Sequence, residues 1–244
     1  MSDLPTTSPN IISLHPKIPL TASEQRQRWV EVWLVLLAAC GSSFLHSLYI
    51  LRNGPNAVPT NSNERWLLGI FQEVVGLFLL TYVLSRRSLS FKDIGLSWRL
   101  RDVLAGLLVI GFGYIAYVFG SMLVQTVHHL IYGAFAKSLS GKDFYLHPPF
   151  AAIPFSLLNP FFEELIVRAY LMTEVSDLTG SSILAVAVSV AVQFSYHLYY
   201  GWVGAISLSF QFLVFAVYYA RTRRVLPVIV AHGFFDIYGI FSLR

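Results

Sequence analysis

Charged side chains are scarce in this chain. Asp, Glu, Lys and Arg make up 12% of its 244 residues, whereas hydrophobic residues make up 55% and the mean hydropathy is +0.61. Soluble domains carry roughly 25% charged residues, so the composition excludes a soluble globular protein. It indicates an integral membrane protein instead.

Cysteine and a strong net charge are also lacking. Cys40 is the single cysteine, which excludes a disulfide within the chain and a thiolate metal site. The net charge is +4, and most of the excess lies in a few loops between hydrophobic runs. Basic loops of this kind mark the orientation of a membrane protein, so they do not indicate a nucleic-acid partner.

Long hydrophobic runs fill most of the chain. No Asp, Glu, Lys or Arg occurs between residues 103 and 136 or between residues 178 and 220. A spanning helix needs about 20 apolar residues, so several of these runs are long enough to cross a membrane. We predict an all-α, polytopic transmembrane bundle of about seven spans, near residues 29–51, 66–84, 103–127, 150–172, 181–199, 203–220 and 225–243.

The segments outside the spans predict domain organisation and orientation. Residues 1–25 are polar, contain four prolines and show no helical period, which predicts a disordered tail before a single transmembrane domain at 26–244. Residues 85–102 mix basic and aromatic side chains, which is typical of contact with anionic lipid headgroups. The side that holds the N-terminus has 12 of the 17 Lys and Arg residues, Arg168 included. We therefore expect a cytoplasmic N-terminus, in the plasma membrane.

Two adjacent glutamates and an arginine lie within the fourth span. A charge at that depth costs about 2.5–3.5 kcal/mol on insertion scales, so such residues are usually functional. Glu164 and Arg168 are four residues apart and can pair on one helical face. Glu163 points about 100° away from Glu164, which leaves it as the less neutralised carboxylate and the candidate general base. The preceding Asn159-Pro160 predicts an opened helix that admits water.

Other polar side chains occur in the apolar spans. His197 lies in the fifth span, and His232 and Asp236 lie four residues apart in the seventh, so these three and Glu163 are candidates for one shared site. Glu73, in the second span, is interpreted first as a carboxylate hydrogen-bonded to a neighbouring helix and second as a chemical group. The remaining three, Glu31, His128 and His129, are interpreted as polar residues at the membrane interface, with a histidine metal site as the weaker alternative.

The order of these motifs resembles that of a known family. Glu163-Glu164-x-x-x-Arg168, then the histidine motif at His197, then His232-x-x-x-Asp236 is similar to the CPBP family, the CAAX-processing and bacteriocin-processing intramembrane endopeptidases. The resemblance covers about residues 150–240, so it implies a peptidase core formed by the last four spans. It also implies a membrane-associated protein or peptide substrate of the lipidated or leader type.

The resemblance implies a role for each of these residues. Glu163 would activate water with help from His197, while His232 and Asp236 would orient or stabilise the oxyanion. The pair formed by Glu164 and Arg168 would hold the site together. The chain departs from the family at two positions, because Gln193 stands where the family has Phe and Asp236 stands where it often has Asn. An Asn side chain donates a hydrogen bond, which an ionised Asp cannot do.

The residues leave the cofactor open. The side chains of Glu163, His197, His232 and Asp236 are acceptable zinc ligands by type, although the chain lacks the HExxH motif. The same four residues also suit a metal-free glutamate mechanism. The alternatives are therefore no cofactor or one divalent metal, with zinc favoured by ligand type. Motifs of the rhomboid-like G-x-S-x-G kind and the presenilin-like G-x-G-D kind are absent.

One geometric expectation opposes a single site. At 1.5 Å per residue, His232 lies about 10 Å from the start of the seventh span, whereas His197 lies about 24 Å from the start of the fifth. If both spans begin at the same membrane face, the two histidines lie at different depths. A structure that kept them apart would contradict a shared site.

Three functions are compatible with the residues. The leading hypothesis is a membrane endopeptidase that hydrolyses a peptide bond near the cytoplasmic face. The second is a non-catalytic immunity or scaffold protein with the same fold. The third is a proton-coupled transporter, since intramembrane carboxylates also relay protons. Many transporters have internal repeats with paired broken helices, and the sequence has neither, so the endopeptidase is favoured.

Overall fold

The computed structural model describes residues 20–54, 62–136 and 149–241. These residues form seven helices, with no strand among them, so the predicted all-helical bundle is confirmed. The helices are α1 (Ala22–Asn53), α2 (Asn63–Ser85), α3 (Leu100–Tyr132), α4, α5 (Ser182–Tyr196), α6 (Gly201–Thr222) and α7 (Leu226–Phe241). Helix α4 is continuous through three stretches, which are Ala152–Glu163, the π-helical Glu164–Tyr170 and Leu171–Thr179.

The helices differ in their ability to cross a membrane. In the described part of the chain, α1, α2, α3 and the stretch Leu198–Thr222 are long and apolar enough to span one. That last stretch consists of a short 3₁₀ turn, Leu198–Tyr200, and α6. Helices α5 and α7 are apolar but shorter, and α4 is interrupted by its π-helical segment. The seven helices coincide with the seven predicted spans.

The start of α1 corrects the predicted tail. Residues 1–19 lie outside the described residues, but residues 22–25 of the predicted tail belong to the first turn of α1. A capping box starts the helix there, because Thr21 Oγ1 accepts from the Glu24 backbone N–H and Glu24 Oε2 accepts from the Thr21 N–H. These two bonds satisfy N–H groups that the first helical turn leaves unpaired.

Helix α3 extends beyond the predicted span, which ends at residue 127, and includes the paired histidines. The helix continues through His128 and His129 to Tyr132, and it stops at Gly133, which has the left-handed φ of 69°. The Nδ1 atom of His128 lies 2.7 Å from the Ala134 carbonyl oxygen, and the His129 ring stacks on Phe135. Both histidines therefore hold the segment that follows the helix.

Two glycines bring α2 and α4 close together. A Cβ atom at Gly69 would lie 2.7 Å from the Phe155 ring, and one at Gly76 would lie 2.6 Å from the Phe162 ring. Gly69, Glu73 and Gly76 are spaced by four and three residues, so they share one helical face. Glu73 is therefore on the face of α2 that packs against α4.

Helix α7 begins inside the protein. Its first residues Leu226, Val228 and Ile229 are buried, and the Val225 N–H donates to the Gly95 carbonyl oxygen. Gly95 has a φ of 100°, and a Cβ atom there would lie 2.3 Å from the Arg223 carbonyl oxygen. The segment between α2 and α3 can therefore cover the start of α7 only with glycine at this position.

An ion-pair cluster ties the N-terminal helices to the end of α4. Glu174 is buried and accepts from the Arg28 Nε atom at 2.7 Å and from both terminal nitrogens of Arg87, at 3.1 and 2.7 Å. Arg28 also pairs with Asp177 at 3.2 Å, and Glu31 lies 3.8 Å from Arg87. Glu31, predicted to be interfacial, thus belongs to this cluster.

Candidate active site

The two adjacent glutamates lie at the boundary between an α-helical and a π-helical segment. Glu163 ends the first α-helical stretch of α4, and Glu164 begins the π-helical one. Pro160 lies inside the preceding helix, which does not open there as predicted. The departure from α-helical geometry instead begins at Glu164. This is one turn after Pro160, which has no backbone N–H to donate. Such wide turns are frequent at functional sites.

Glu164 and Arg168 form the predicted pair behind the cavity. Both side chains are 0% exposed, and Arg168 Nε lies 3.5 Å from Glu164 Oε2. The guanidinium also donates to Ser189 Oγ at 2.7 Å and to the Gln193 side-chain oxygen. A buried charge is tolerated when it is paired and hydrogen-bonded, and this arginine is both.

Gln193 connects the two glutamates and the arginine. Its side-chain oxygen accepts from Arg168, while its Nε2 donates to Glu163 Oε2 at 3.2 Å and to Glu164 Oε1 at 3.5 Å. An amide carries both a donor and an acceptor, which a phenylalanine at this position would lack. The departure from the family at Gln193 therefore adds three polar contacts to the site.

Glu163 faces a cavity and is held from one side. Its Oε2 atom accepts from the Tyr196 hydroxyl at 2.7 Å as well as from Gln193. Its Oε1 atom accepts no hydrogen bond from the described residues, and Glu163 lines the cavity. One carboxylate oxygen is thus fixed and the other is available to a ligand.

His197 lies directly after α5, with a ring orientation set by the backbone. Its Nδ1 atom lies 2.9 Å from the Gln193 carbonyl oxygen. A carbonyl only accepts, so Nδ1 carries the hydrogen and the Nε2 atom of the neutral ring carries the lone pair. The ring packs on Phe212 and lines the same cavity as Glu163.

His232 lies between two carboxylates. Its Nδ1 atom is 2.8 Å from Glu164 Oε1, and its Nε2 atom is 3.5 Å from Asp236 Oδ1. Asp236 also accepts from the Asn159 side-chain amide at 3.1 Å. The contact at Nδ1 is a hydrogen bond, whereas Nε2 and Asp236 lie within ion-pair distance without a hydrogen bond between them. Asp236 therefore orients the ring together with Glu164.

A single cavity of about 870 Å³ brings the candidates from three helices together. Glu163, His197, His232 and Asp236 all line it, so the different depths predicted for the two histidines do not separate them. The physical reason is the buried start of α7, which places the seventh residue of that helix deep in the bundle. Glu164 and Arg168 support the cavity from behind.

The side chains do not fit the predicted metal site. In the part of the chain that the structure describes, no three His, Cys, Asp or Glu side chains are grouped so that they could hold an ion. Both ring nitrogens of His232 face carboxylates, and Nδ1 of His197 faces a carbonyl. One ring nitrogen of each histidine is thus already hydrogen-bonded to a protein oxygen.

The sequence did not predict site roles for three polar residues that contact Glu163 or Asp236. Tyr196 and Gln193 contact Glu163, and Asn159 contacts Asp236. The sequence spacing indicates the first two, because Gln193 is three residues before Tyr196 and four residues before His197. Residues at these spacings share one helical face. Asn159 was considered only for its effect on the helix. Glu73, for which a chemical role is the second interpretation of the sequence, also lines this cavity.

The comparisons with known proteins agree with the order of the motifs. Residues 145–238 match the family model described as Type II CAAX prenyl endopeptidase Rce1-like, and this range contains all six predicted site residues. No curated protein and no solved structure matches the chain. Residues 145–238, which hold α4 to α6 and most of α7, therefore match the CPBP family of intramembrane endopeptidases.

Proposed function

We propose that this chain is an intramembrane endopeptidase in which Glu163 activates the attacking water. The family of residues 145–238 supports endopeptidase activity in the membrane. The observation that carries the assignment to Glu163 is the unequal use of its two oxygens. Oε2 is held by Tyr196 and Gln193, while Oε1 accepts nothing from the described residues. A general base needs such a free oxygen.

The first chemical step is the attack of water on the substrate carbonyl. Glu163 Oε1 removes one proton from the water. The second hydrogen of the water stays on its oxygen and is hydrogen-bonded to the lone pair at His197 Nε2, which orients the water molecule. The water oxygen bonds to the carbonyl carbon, and the carbonyl oxygen becomes an oxyanion. The proton on Glu163 then passes to the amide nitrogen as the C–N bond breaks, which yields a carboxylic acid and an amine.

The oxyanion is stabilised from the opposite side by His232 and Asn159. With Nδ1–H donated to Glu164, the protonated ring of His232 carries a second hydrogen on Nε2, which makes no hydrogen bond to Asp236 at 3.5 Å and can donate to the substrate oxyanion. An amide nitrogen carries two hydrogens, and Asn159 donates one of them to Asp236. Its second hydrogen supplies the donor that Asp236, an acceptor, cannot supply itself. Donors aimed at an oxyanion typically contribute 10²–10³-fold in rate.

The proposed mechanism uses no metal, because the side chains leave too few nitrogens and oxygens converging on one point. Glu163 and His197 remain free to act on water directly, and His232 is hydrogen-bonded to Glu164 through Nδ1, which leaves its Nε2 for the substrate. Membrane lipid surrounds the bundle, and the substrate is a protein or peptide at the membrane of the lipidated or leader type.

A hydrolysis assay tests the proposal. Purified protein in detergent is incubated with a panel of acylated, fluorogenic peptides, and products are identified by mass spectrometry. We expect Glu163→Ala and His232→Ala to lower the rate at least 10²-fold. His129→Ala, which changes a ring at the end of α3, serves as the control. Hydrolysis at the wild-type rate by both cavity variants contradicts the proposal and favours a scaffold or immunity role.

The position of the cavity along the bundle constrains the orientation of the protein in the membrane. Its lining residues extend from the middle of the bundle to one end, because they come from the middle of α6 and α7, the first half of α2 and α4, the later part of α1 and the segment after α5. The arginines at 86, 87, 99, 101, 221, 223 and 224 belong to the other end. A cytoplasmic N-terminus and cleavage near the cytoplasmic face, both predicted from the sequence, are therefore incompatible with each other.

We propose that the N-terminus is cytoplasmic and that the cavity opens on the opposite side of the plasma membrane. The excess of basic residues at the N-terminal end supports this orientation. Two exposed arginines test it in a Cys40→Ser background, namely Arg52→Cys at the cavity end and Arg86→Cys at the basic end. An impermeant maleimide on intact cells is expected to label only the first variant. Labelling of only the second reverses the orientation.

A further inference from the structure

Glu73 lines the cavity as a third carboxylate besides Glu163 and Asp236. The proposed mechanism does not use it. It lies in the middle of α2, is 3% exposed and lines the cavity together with Glu163. Gly69 and Gly76 flank it on the same helical face and allow α2 to approach Phe155 and Phe162 of α4 closely. The packing of these two helices thus turns Glu73 towards the proposed catalytic centre.

One oxygen of this carboxylate has no protein partner. Glu73 Oε2 is buried and receives no hydrogen bond from the described residues. Glu163, Glu164 and Asp236, by contrast, each accept at least one hydrogen bond from a neighbouring side chain. Buried polar atoms are nearly always hydrogen-bonded, and because Glu73 lines the cavity, a donor from outside the chain can satisfy its carboxylate.

The charges around the cavity favour a cationic donor. Glu73, Glu163 and Asp236 are carboxylates at its wall, whereas Arg65 is the one Lys or Arg among the described lining residues. Arg65 is eight residues before Glu73 on α2, which places it about 12 Å nearer the end of the helix. The inner wall is therefore acidic, and a positively charged side chain complements it.

We propose that Glu73 is a specificity residue that binds a lysine or arginine side chain of the substrate, close to the peptide bond that Glu163 hydrolyses. The inference rests on the proposed endopeptidase function and narrows its substrate class to peptides with a basic residue near the cleavage site. A charged hydrogen bond to the unpaired oxygen provides the recognition. Such bonds contribute enough to favour the cationic substrate about tenfold or more.

A peptide series with one movable lysine tests the inference. Each peptide has an acyl anchor and an apolar segment in which a single lysine is shifted residue by residue, and a matched series carries Nε-acetyl-lysine instead. We expect wild-type protein to hydrolyse the lysine peptides with a kcat/KM at least tenfold higher than the acetylated ones. The cleaved bond should also move along the segment in register with the lysine.

Two variants separate recognition from stability. Glu73→Gln keeps the size of the side chain and removes its charge, so we expect the lysine-to-acetyl-lysine ratio to fall to about one. Glu31→Gln makes the same change in the ion-pair cluster, away from the cavity, and should leave the wild-type ratio intact. Equal hydrolysis of both series by wild-type protein, or an unchanged ratio in Glu73→Gln, overturns the inference.

Binding to a catalytically disabled protein separates this inference from the proposed function. Fluorescence anisotropy with Glu163→Gln protein is expected to show at least tenfold tighter binding of a lysine peptide than of its acetylated match. If that preference is present but wild-type protein hydrolyses neither peptide, the endopeptidase proposal fails and the assignment of Glu73 stands. If wild-type protein hydrolyses both peptides without preference, only the assignment of Glu73 fails.

Discussion

Glu163 and Glu164 are adjacent in the chain, yet their carboxylates lie in different environments. Glu163 lines the cavity and is held at one oxygen by Tyr196, whereas Glu164 is fully buried between Arg168 and His232. The helix changes from α-helical to π-helical between them, and their side chains point in different directions. Each of the two side chains is therefore expected to respond differently to the same substitution.

Removing the charge of Glu163 should affect hydrolysis more than folding. Glu163→Gln retains an oxygen that can accept from Tyr196, so we expect the free energy of unfolding to change by less than about 1 kcal/mol. Loss of the general base should lower kcat about 10²–10⁴-fold. Peptide hydrolysis and thermal unfolding in detergent measure the two effects.

Glu164→Gln is the matched control, because the same change one residue later leaves the buried Arg168 without its carboxylate. Breaking a buried ion pair costs about 3–5 kcal/mol, so this variant should unfold at a clearly lower temperature. Equal stability of the two variants would contradict the division of roles between these glutamates.

The hydroxyl of Tyr196 should contribute to kcat. Tyr196→Phe removes the 2.7 Å hydrogen bond that fixes Glu163 Oε2, so the base loses its orientation. We expect kcat to fall about tenfold while KM changes little, which corresponds to about 1.4 kcal/mol in the barrier. Tyr219→Phe removes a buried hydroxyl that donates to the Ile94 carbonyl oxygen, far along α6. That control should lose stability but keep the wild-type kcat.

Gln193 should be required for both stability and activity. Gln193→Leu has a similar volume but removes the acceptor for Arg168 and the donor for the two glutamates. Leaving buried charged groups unpaired should cost about 3 kcal/mol or more of unfolding free energy. Gln211→Leu, which changes a buried glutamine that lines the cavity, is the comparison. If the two variants unfold at the same temperature, the connecting role of Gln193 is wrong.

The ion-pair cluster at Glu174 should matter for stability alone. Glu174→Gln weakens the contacts to Arg28 and Arg87, which join α1 and the segment after α2 to the end of α4. We expect a loss of about 3 kcal/mol in unfolding free energy, with kcat per folded molecule unchanged. Glu24→Gln preserves the capping box at the exposed start of α1 and should be nearly neutral. A lower kcat in Glu174→Gln would indicate coupling between the cluster and the cavity.

Chelation should leave hydrolysis unaffected. The ring nitrogens of His232 face Glu164 and Asp236, so the histidine is not placed to bind a metal. We expect protein dialysed against a chelator to retain its full rate, with elemental analysis showing less than stoichiometric zinc. Loss of activity on chelation and its recovery on adding zinc would support the metal-dependent alternative.

Much of the bundle follows from the sequence alone. The long runs without charge predict the seven helices, because backbone polar groups in a lipid environment must be satisfied within a helix. The cost of burying charge also identifies Glu163, Glu164 and Arg168 as a group with a function, and the four-residue spacing predicts the pair that Glu164 and Arg168 form. Local chemistry of this kind depends on neighbours in the chain.

The contacts between helices could not be derived in this way. Gln193 was a departure from a motif, yet its amide joins Glu163 to Arg168 because α5 packs beside the π-helical segment of α4. The position of His232 required the buried start of α7, which the segment before α3 covers. Sequence spacing measures distance along a helix but contains no information on how far each helix is shifted against its neighbour. The tertiary structure alone determined which carboxylate oxygen faces the cavity and at which end of the bundle that cavity lies.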